Sequence, residues 1–330
     1  MKAITISRYC AEFKGFSYVD IDEPPPPGNN EVTIEILASP IHPADLLSLA
    51  GDYAVPPPLP MIPGGEAIGR IIAVGNNVST VSPGMYAIPL PRGNWVERRT
   101  LAATDVIVVP HGDCLQLAML KVVPATAWLM LTSIVSLASG SGVIQNAANS
   151  SVGLAANRLA DHFGVTMINV VRREELIDQL KNYGARNVFL DGPDLAQRVR
   201  LAFADLPISL GLDAVAGQAS FRLSACLSEG GTMVNYGLLS GEPVMVAPQR
   251  TIFEDIHVTG FWLSKFIANS NHSDLENLYE KLAKFVADGT IETPIEACYP
   301  LEQATKAVRH AAAFKRDGKI MFTPSAAALI

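Results

Sequence analysis

The sequence predicts an α/β protein in two parts: a small antiparallel β-barrel and a doubly wound parallel sheet. Three observations lead there. Up to about Leu117 the chain is a succession of short β-rich runs separated by glycine and proline. From about Leu120 it alternates β-rich and helical stretches, the pattern of a parallel sheet with crossover helices. Inside that second part, residues 143–173 (VIQNAANSSVGLAANRLADHFGVTMINVVRR) read as strand, tight turn, helix, strand and two adjacent arginines.

In the first part, Glu31 to Leu37 (EVTIEIL) alternates polar and apolar residues, as a half-buried strand does. Ile68 to Val74 and Tyr86 to Pro89 are further strands. Pro24 to Pro27 is a stiff extended segment, and Pro56-Pro57-Pro58 with Pro60 makes a second rigid loop.

In the second part, Val143-Ile144 is apolar and β-branched, suited to a buried parallel strand. Asn146 to Gly153 are all small or turn-forming, so backbone can approach a ligand closely. A helix runs from about Val152 to Phe163, with Leu154, Leu159 and Phe163 near one face, and Gly164 ends it. Thr166 to Val171 is the second strand. Then follow a helix over Glu174 to Tyr183, a strand over Asn187 to Leu190 and a helix over Leu195 to Phe203. Next come a strand over Leu210 to Ala214, a helix over Phe221 to Leu227, and strands over Thr232 to Tyr236 and Val258 to Phe261. The tail holds helical stretches over Asp274 to Ala287 and Leu301 to Ala313 and a last strand over Lys319 to Phe322. It has too few elements to stand alone and is expected to pack back onto the first part. The domains are therefore placed at 1–119 with 265–330, and at 120–264.

The strand–turn–helix of residues 143–163 is a dinucleotide-binding unit, with pyrophosphate on the helix N-terminus. Its glycine pattern is thin: Ala148-Asn149-Ser150-Ser151-Val152-Gly153 keeps only the last glycine of G-x-G-x-x-G. The second strand ends in Arg172 and Arg173, where an NAD-binding unit carries an acidic residue for the ribose 2′-hydroxyl. Two guanidinium groups suit a 2′-phosphate, so the cofactor is NADPH. The competing reading makes them a solvated helix start paired with Glu174 and Glu175.

At 330 residues, with 49% hydrophobic and 17% charged residues, the chain has room for two cores. A formal charge of −7 argues against nucleic acid or an anionic membrane as main partner. No apolar run has bilayer length, and the opening MKAITISRYC has no signal or transit character, so a cytoplasmic protein is expected. Cys10, Cys114, Cys226 and Cys298 are scattered, with no C-x-x-C spacing; neither disulfides nor a zinc knuckle are expected.

Barrel, nucleotide fold and return to the barrel is the layout of the medium-chain dehydrogenase/reductases, which the chain resembles over nearly its whole length. The resemblance implies a GroES-like catalytic domain and a Rossmann cofactor domain. Pro63-Gly64-Gly65-Glu66 and Gly69 are similar to the family's G-x-E-x-x-G signature. Zinc alcohol dehydrogenases of that superfamily have histidine before the glutamate, where this chain has Gly65, and their four-cysteine lobe is missing; no metal is expected. His42, in Pro40-Ile41-His42-Pro43, shows no partner ligand and is read as structural.

Within the superfamily the chain resembles the mitochondrial-type trans-2-enoyl-CoA/acyl-carrier-protein reductases. Ala50-Gly51-Asp52-Tyr53 follows Pro43-Ala44-Asp45 at the family spacing, and Gln145 to Gly153 is similar to Q-N-A-x-N-S-G-V-G with Ser151 in place of glycine. Asn169 to Arg172, Gly230 to Gly237 and Gly260 to Ser264 match family segments, whereas Val123 replaces a family asparagine. The resemblance implies Tyr53 as catalytic residue and Asn149, Ser150, Ser151, Val152, Arg172, Arg173, Tyr236, Gly237, Leu238, Phe261, Trp262 and Lys319 around the cofactor. It also implies a homodimer, joined through the last strand of the nucleotide fold.

Reducing an enoyl thioester needs hydride at the β carbon, a proton at the α carbon and donors for the enolate oxygen. A tyrosine, with an ordinary pKa of about 10, supplies that proton while itself neutral. Each residue has a plainer reading: Tyr53 a barrel-edge aromatic, Phe261 and Trp262 core aromatics, Lys319 a solvated strand lysine. Three rival functions stay open: a zinc-free quinone or enone reductase, a non-catalytic NADPH-binding sensor, and a tailoring enoyl reductase acting on a carrier-bound chain. Acyl carrier protein is a partner in the enoyl thioester reading and in the tailoring reading.

Overall fold

A computed structural model describes residues 1–54 and 56–324. Along the chain the first elements are β1 (Lys2–Ile6), β2 (Phe16–Asp20), β3 (Glu31–Pro40), α1 (Pro43–Ala50), β4 (Ile68–Val74), β5 (Tyr86–Pro89), β6 (Arg98–Ala102), β7 (Val106–Val109) and α2 (Cys114–Leu117). Then follow α3 (Val123–Ser133), β8 (Gly142–Gln145), α4 (Ser151–Phe163), β9 (Thr166–Val171), α5 (Glu175–Asn182), β10 (Asn187–Leu190), α6 (Leu195–Ala202), β11 (Ile208–Asp213) and α7 (Gly217–Ser224). The remainder is β12 (Thr232–Asn235), α8 (Pro248–Phe253), β13 (His257–Gly260), α9 (Leu263–Asn269), α10 (His272–Ala287), β14 (Ile295–Tyr299), α11 (Ala304–Ala312) and β15 (Lys319–Phe322). The chain divides into two compact units, residues 1–122 with 270–330 and residues 123–269.

The first unit has a seven-stranded sheet in the order β14-β15-β3-β4-β5-β7, with β6 on β3, and a separate β1–β2 ribbon. Pairing is antiparallel except between β14 and β15, which run parallel. That pair departs from a purely antiparallel barrel because α11 connects the two strands, and a helical crossover returns the chain in the same direction. The alternation read in Glu31 to Leu37 does not mark a half-solvated strand. β3 is buried at nearly every position after Glu31 and continues to Pro40; Val32, Ile34 and Ile36 pack in one core, and pairing with β4, β6 and β15 places the strand inside the sheet. The tail packs into this unit: Ala304, Ala307, Val308 and Phe322 share a core with Ile4, Ile41 and Trp95. The Phe322 and Trp95 rings meet edge to face at 4.9 Å.

The second unit is a six-stranded parallel sheet in the order β10-β9-β8-β11-β12-β13. The order starts in the middle and works outward twice, as a doubly wound sheet does. β8, β9 and β11 are almost wholly buried, as central parallel strands covered on both faces are, and the polar Gln145, Asn169 and Asp213 among them are buried with the apolar residues. α4 buries Leu154 and Leu159 while Phe163 packs on Trp128 of α3, ring centres 4.9 Å apart. The helix expected over Phe221 to Leu227 starts earlier, at Gly217. Its polar start GQAS carries no apolar periodicity, and the break is marked by positive φ at Ala216 (+67°) and Gly217 (+58°). α10 likewise begins at His272, because Asn271 Oδ1 accepts the Asp274 N–H at 2.8 Å and caps it. The last expected helix opens with a 3₁₀ turn over Leu301–Gln303 and becomes α-helical at Ala304.

Candidate active and cofactor sites

The turn between β8 and α4 has three supports. Ala147 takes a left-handed φ of +46° and its carbonyl accepts the Ser150 N–H at 2.8 Å, which folds the chain back. Ser150 caps α4, its hydroxyl accepting the Gly153 N–H at 3.1 Å. A Cβ on Gly153 would stand 2.6 Å from the Ala148 carbonyl oxygen, so no larger residue fits. Beneath the turn lies a buried amide chain: Gln145 Nε2 donates to Asn169 Oδ1 at 2.7 Å and to Gly153 O at 2.9 Å, and Asn169 Nδ2 donates to Asn157 Oδ1 at 2.9 Å. Three adjacent elements, β8, β9 and α4, are thereby locked. Asn149 is exposed and Ser150, Ser151 and Val152 are half-buried, so the first N–H groups of α4 stand at an accessible helix N-terminus.

β9 ends at Val171, and the two arginines follow directly. Arg172 is exposed. The Arg173 side chain is 19% exposed, its Nε lies 3.6 Å from Glu175 Oε1, and that buried Nε makes no hydrogen bond among the described residues. The Glu175 contact is the one foreseen in the competing reading, but at 3.6 Å it leaves Nε unsatisfied. A group with several acceptor oxygens fits such a donor.

At the carboxyl ends of β11 and β12 the organiser is Asp213, which sequence reasoning missed. It is wholly buried; Oδ1 accepts from Asn146 Nδ2 at 2.5 Å and from the Val215 and Ala216 N–H groups at 3.0 Å, and Oδ2 accepts from Asn235 Nδ2 at 2.9 Å. Nothing in the local sequence distinguishes it from any strand-ending aspartate. Tyr236 follows β12; its buried hydroxyl makes no hydrogen bond of good geometry among the described residues, though the Ser150 hydroxyl opposes the rise in pKa that burial causes. A Cβ on Gly237 would meet the Ala214 carbonyl oxygen at 2.6 Å. Leu238 and Trp262 are 55% and 45% exposed, and Phe261 is half-buried just past β13. Trp262 is therefore not a core aromatic.

In the first unit, α1 begins with Pro43 at its first position and Asp45 Oδ2 accepting the His42 N–H at 2.9 Å. It ends on Gly51 at φ +92°, where the Gly51 and Asp52 N–H groups both return to the Leu47 carbonyl. Tyr53 follows this fixed turn, half-buried, with the Arg92 guanidinium 4.9 Å from its ring centre. Lys319 is neither solvated nor exposed. It lies on β15 in the first unit, buried, with Nζ donating to His42 Nδ1 at 2.8 Å. His42 Nε2 then faces Glu66 Oε1, and Glu66 Oε2 accepts the Val122 N–H at 2.8 Å. Lys121 Nζ donates to the Gly65 and Leu90 carbonyls, each at 2.6 Å. His42 thus has a lysine and a glutamate as its neighbours. The sequence signal for Glu66 was its place in the glycine signature; Lys121 carried none.

Burial sets the charges of this cluster. It pushes Glu66 up to about 8, against the pull of Lys319 and Lys121. It pushes Lys121 and Lys319 down to about 8 and holds His42 well below its ordinary value.

Residues 28–114 match the alcohol dehydrogenase GroES-like domain family, and residues 151–284 match the zinc-binding dehydrogenase family. The mitochondrial enoyl-[acyl-carrier-protein] reductase of Rattus norvegicus is 35% identical over 287 residues, 84% of this chain and 77% of that protein. A solved structure named as a putative NADPH:quinone reductase from Bacillus thuringiensis superposes with a TM-score of 0.88 at 26% identity, covering 98% of both chains. Etr1p, an enoyl thioester reductase of Candida tropicalis solved with NADP and crotonyl-CoA, superposes with a TM-score of 0.85 at 23% identity, covering 98% of this chain and 99% of that one; this likeness shows the fold. No helix among the described residues is long and apolar enough to cross a membrane.

Replacing Glu66 tests the charge account. Its folded pKa lies above its unfolded one, so its neutral form is favoured by folding, and that advantage is lost as pH rises from about 4.5 to about 8. The stability of the wild type relative to Glu66→Gln is expected to fall between pH 5 and pH 8, by at most about 1.4 kcal/mol per pH unit. Urea midpoints of both proteins across that range measure it; a difference that is flat or rises with pH contradicts the assignment.

By its barrel signature, its nucleotide-binding turn and its likeness to those relatives, the chain belongs to the enoyl reductases of the medium-chain dehydrogenase/reductase family.

Proposed function

We propose that this protein is an NADPH-dependent reductase of 2-enoyl thioesters, carried on coenzyme A or acyl carrier protein, in which Tyr53 protonates the α carbon. The observation that carries the reading is the presentation of Tyr53, half-buried, on a turn fixed by Gly51 at the end of α1. A phenol held this way loses little freedom when a substrate arrives.

Residues of the second unit fit the cofactor. The N–H groups of Ser151 and Val152 at the start of α4, with the Ser150 hydroxyl and Asn149, suit its pyrophosphate. Arg172 and the unsatisfied Nε of Arg173 suit its 2′-phosphate. Tyr236, Gly237, Leu238, Phe261 and Trp262 sit just past the carboxyl ends of β12 and β13, the edge at which open α/β sheets take ligands. When bound, NADPH supplies hydride to the β carbon of the substrate. The chain then has to give the α carbon a proton, which Tyr53 holds on its hydroxyl, and to donate hydrogen bonds to the thioester oxygen as charge gathers there. Lys319 enters this reading through the buried His42–Glu66 chain, which keeps its ammonium in place.

The Bacillus thuringiensis structure favours a second reading, reduction of quinones or simple enones. A non-catalytic NADPH sensor would bind the cofactor and leave it unoxidised in the presence of any enoyl or quinone acceptor. Rates with crotonyl-CoA and with a quinone, side by side, separate the three.

We also propose a homodimer. Among the described residues β13 pairs only with β12, and all four of its residues are exposed. Val258 on that edge is 45% exposed, and Ile252 and Phe253 on α8 are 68% and 74% exposed. An unpaired edge with apolar neighbours is a ready pairing surface.

Tyr53→Phe is expected to lower crotonyl-CoA turnover about 10²-fold while NADPH affinity holds, in keeping with general-acid contributions; unchanged turnover removes Tyr53 from the mechanism. Arg172→Ala with Arg173→Ala is expected to weaken NADPH binding and spare NADH binding in titrations; equal losses would make the arginines supports of the fold. Sedimentation should give the mass of a dimer, and Val258→Asp that of a monomer; a monomeric wild type refutes the pairing.

A further inference from the structure

Arg92 is the cation against the proposed acid. Its guanidinium carbon lies 4.9 Å from the Tyr53 ring centre, within the range of a cation–π contact. Its placement is built, not incidental. Nη2 donates to Asp45 Oδ1 at 2.9 Å and to Ser48 Oγ at 3.0 Å, both on α1. Asp45 is wholly buried, and its second oxygen holds the His42 N–H. From the other side, Arg99 Nη1 donates to the Arg92 carbonyl at 2.8 Å and to Asn94 Oδ1 at 2.7 Å, which fixes the loop between β5 and β6. Gly65 leaves the room: a Cβ there would lie 3.2 Å from Asp45 Oδ1 and 3.4 Å from Arg92 Nη1.

One role follows at once. Arg92 neutralises Asp45, whose burial without a partner would be costly. Asp45 could be neutralised by a cation facing anywhere, however, and this one lies over the ring of Tyr53. A guanidinium at a phenol attracts the ring's negative face, and attracts it more when the oxygen carries charge. Asp45, which accepts from that guanidinium, and Asp52, the chain neighbour of Tyr53, are acidic groups that bear on the pair.

We propose that Arg92 is a positioning residue for Tyr53: it holds the ring and stabilises the negative charge left on the phenol oxygen when the proton has passed to the α carbon. In that step the Tyr53 O–H bond breaks, its electron pair stays on oxygen, and a C–H bond forms at the α carbon of the hydride-bearing substrate. Water returns the proton to the phenolate after product leaves. The inference rests on Tyr53 being the acid.

The test is kinetic, with crotonyl-CoA and NADPH. Arg92→Gln is expected to lower kcat about tenfold, leaving KM for NADPH unchanged. Arg92→Lys, which keeps a charge beside Asp45, is expected to recover most of that loss. In a Tyr53→Phe background Arg92→Gln should cost nothing further. Arg92→Gln with Asp45→Asn leaves no lone buried charge and serves if the single variant does not fold. An unchanged kcat in Arg92→Gln, no recovery in Arg92→Lys, or kcat losses that multiply in the double variant overturns the proposal. Full turnover by Tyr53→Phe instead ends the assignment of the acid, and with it the positioning role of Arg92.

Discussion

The approach of Gly153 to the carbonyls of Ala147 and Ala148 is the constraint on which the second unit turns. A strand can pass into a helix over so short a turn only if one residue has no side chain where the backbones meet. That contact sets where α4 begins, and the start of α4 sets where an anion can sit. The buried chain Gln145–Asn169–Asn157 makes the arrangement unique, since any shift of β8, β9 or α4 would strand an amide in the core. The arginines at the end of β9 are then delivered to the same end of the sheet as the helix start.

The first unit is organised around charge and not around backbone. Four ionisable groups, His42, Glu66, Lys121 and Lys319, lie buried together, and a separate pair, Asp45 with Arg92, reaches the side chain of Tyr53. Burial drives the acid up and the bases down, so the cluster holds fewer full charges at neutral pH than its composition suggests. His42 ties it together: Lys319 donates to one ring nitrogen, which leaves the other to carry its proton toward Glu66. Gly65 leaves the opening that Arg92 fills, and so connects the barrel signature to the proposed acid.

What could be read from the sequence was periodic or local. Thr166–Val171, Ile68–Val74, Tyr86–Pro89, Asn187–Leu190 and Lys319–Phe322 have the strand bounds their composition indicates, and Gly164 ends α4 as a left-handed cap. Elements with a polar start, α7 and α10, were placed late, because caps and turns carry no apolar rhythm. β3 was misjudged as half-solvated because partners on both sides come from distant sequence. The site followed the same rule. The helix start and the paired arginines are contiguous and were legible. Lys319 meets His42 across 277 positions and Arg92 meets Asp45 across 47, and no local pattern announces either meeting. Lys319 is open in the sequence to a place around the cofactor and to a solvated strand position, because strand sequence does not show what lies opposite.

The central claim is that this chain moves hydride from NADPH to the β carbon of an enoyl thioester and a solvent-derived proton to the α carbon. The most direct measurement is the isotope content of the product. Crotonyl-CoA reduced with NADPH carrying deuterium at the transferred position, and separately with ordinary NADPH in heavy water, gives butyryl-CoA for mass analysis. The account predicts one deuterium at the β carbon in the first case and one at the α carbon in the second. A product unlabelled at the β carbon in the first experiment, or no butyryl-CoA while a quinone is reduced, would contradict it.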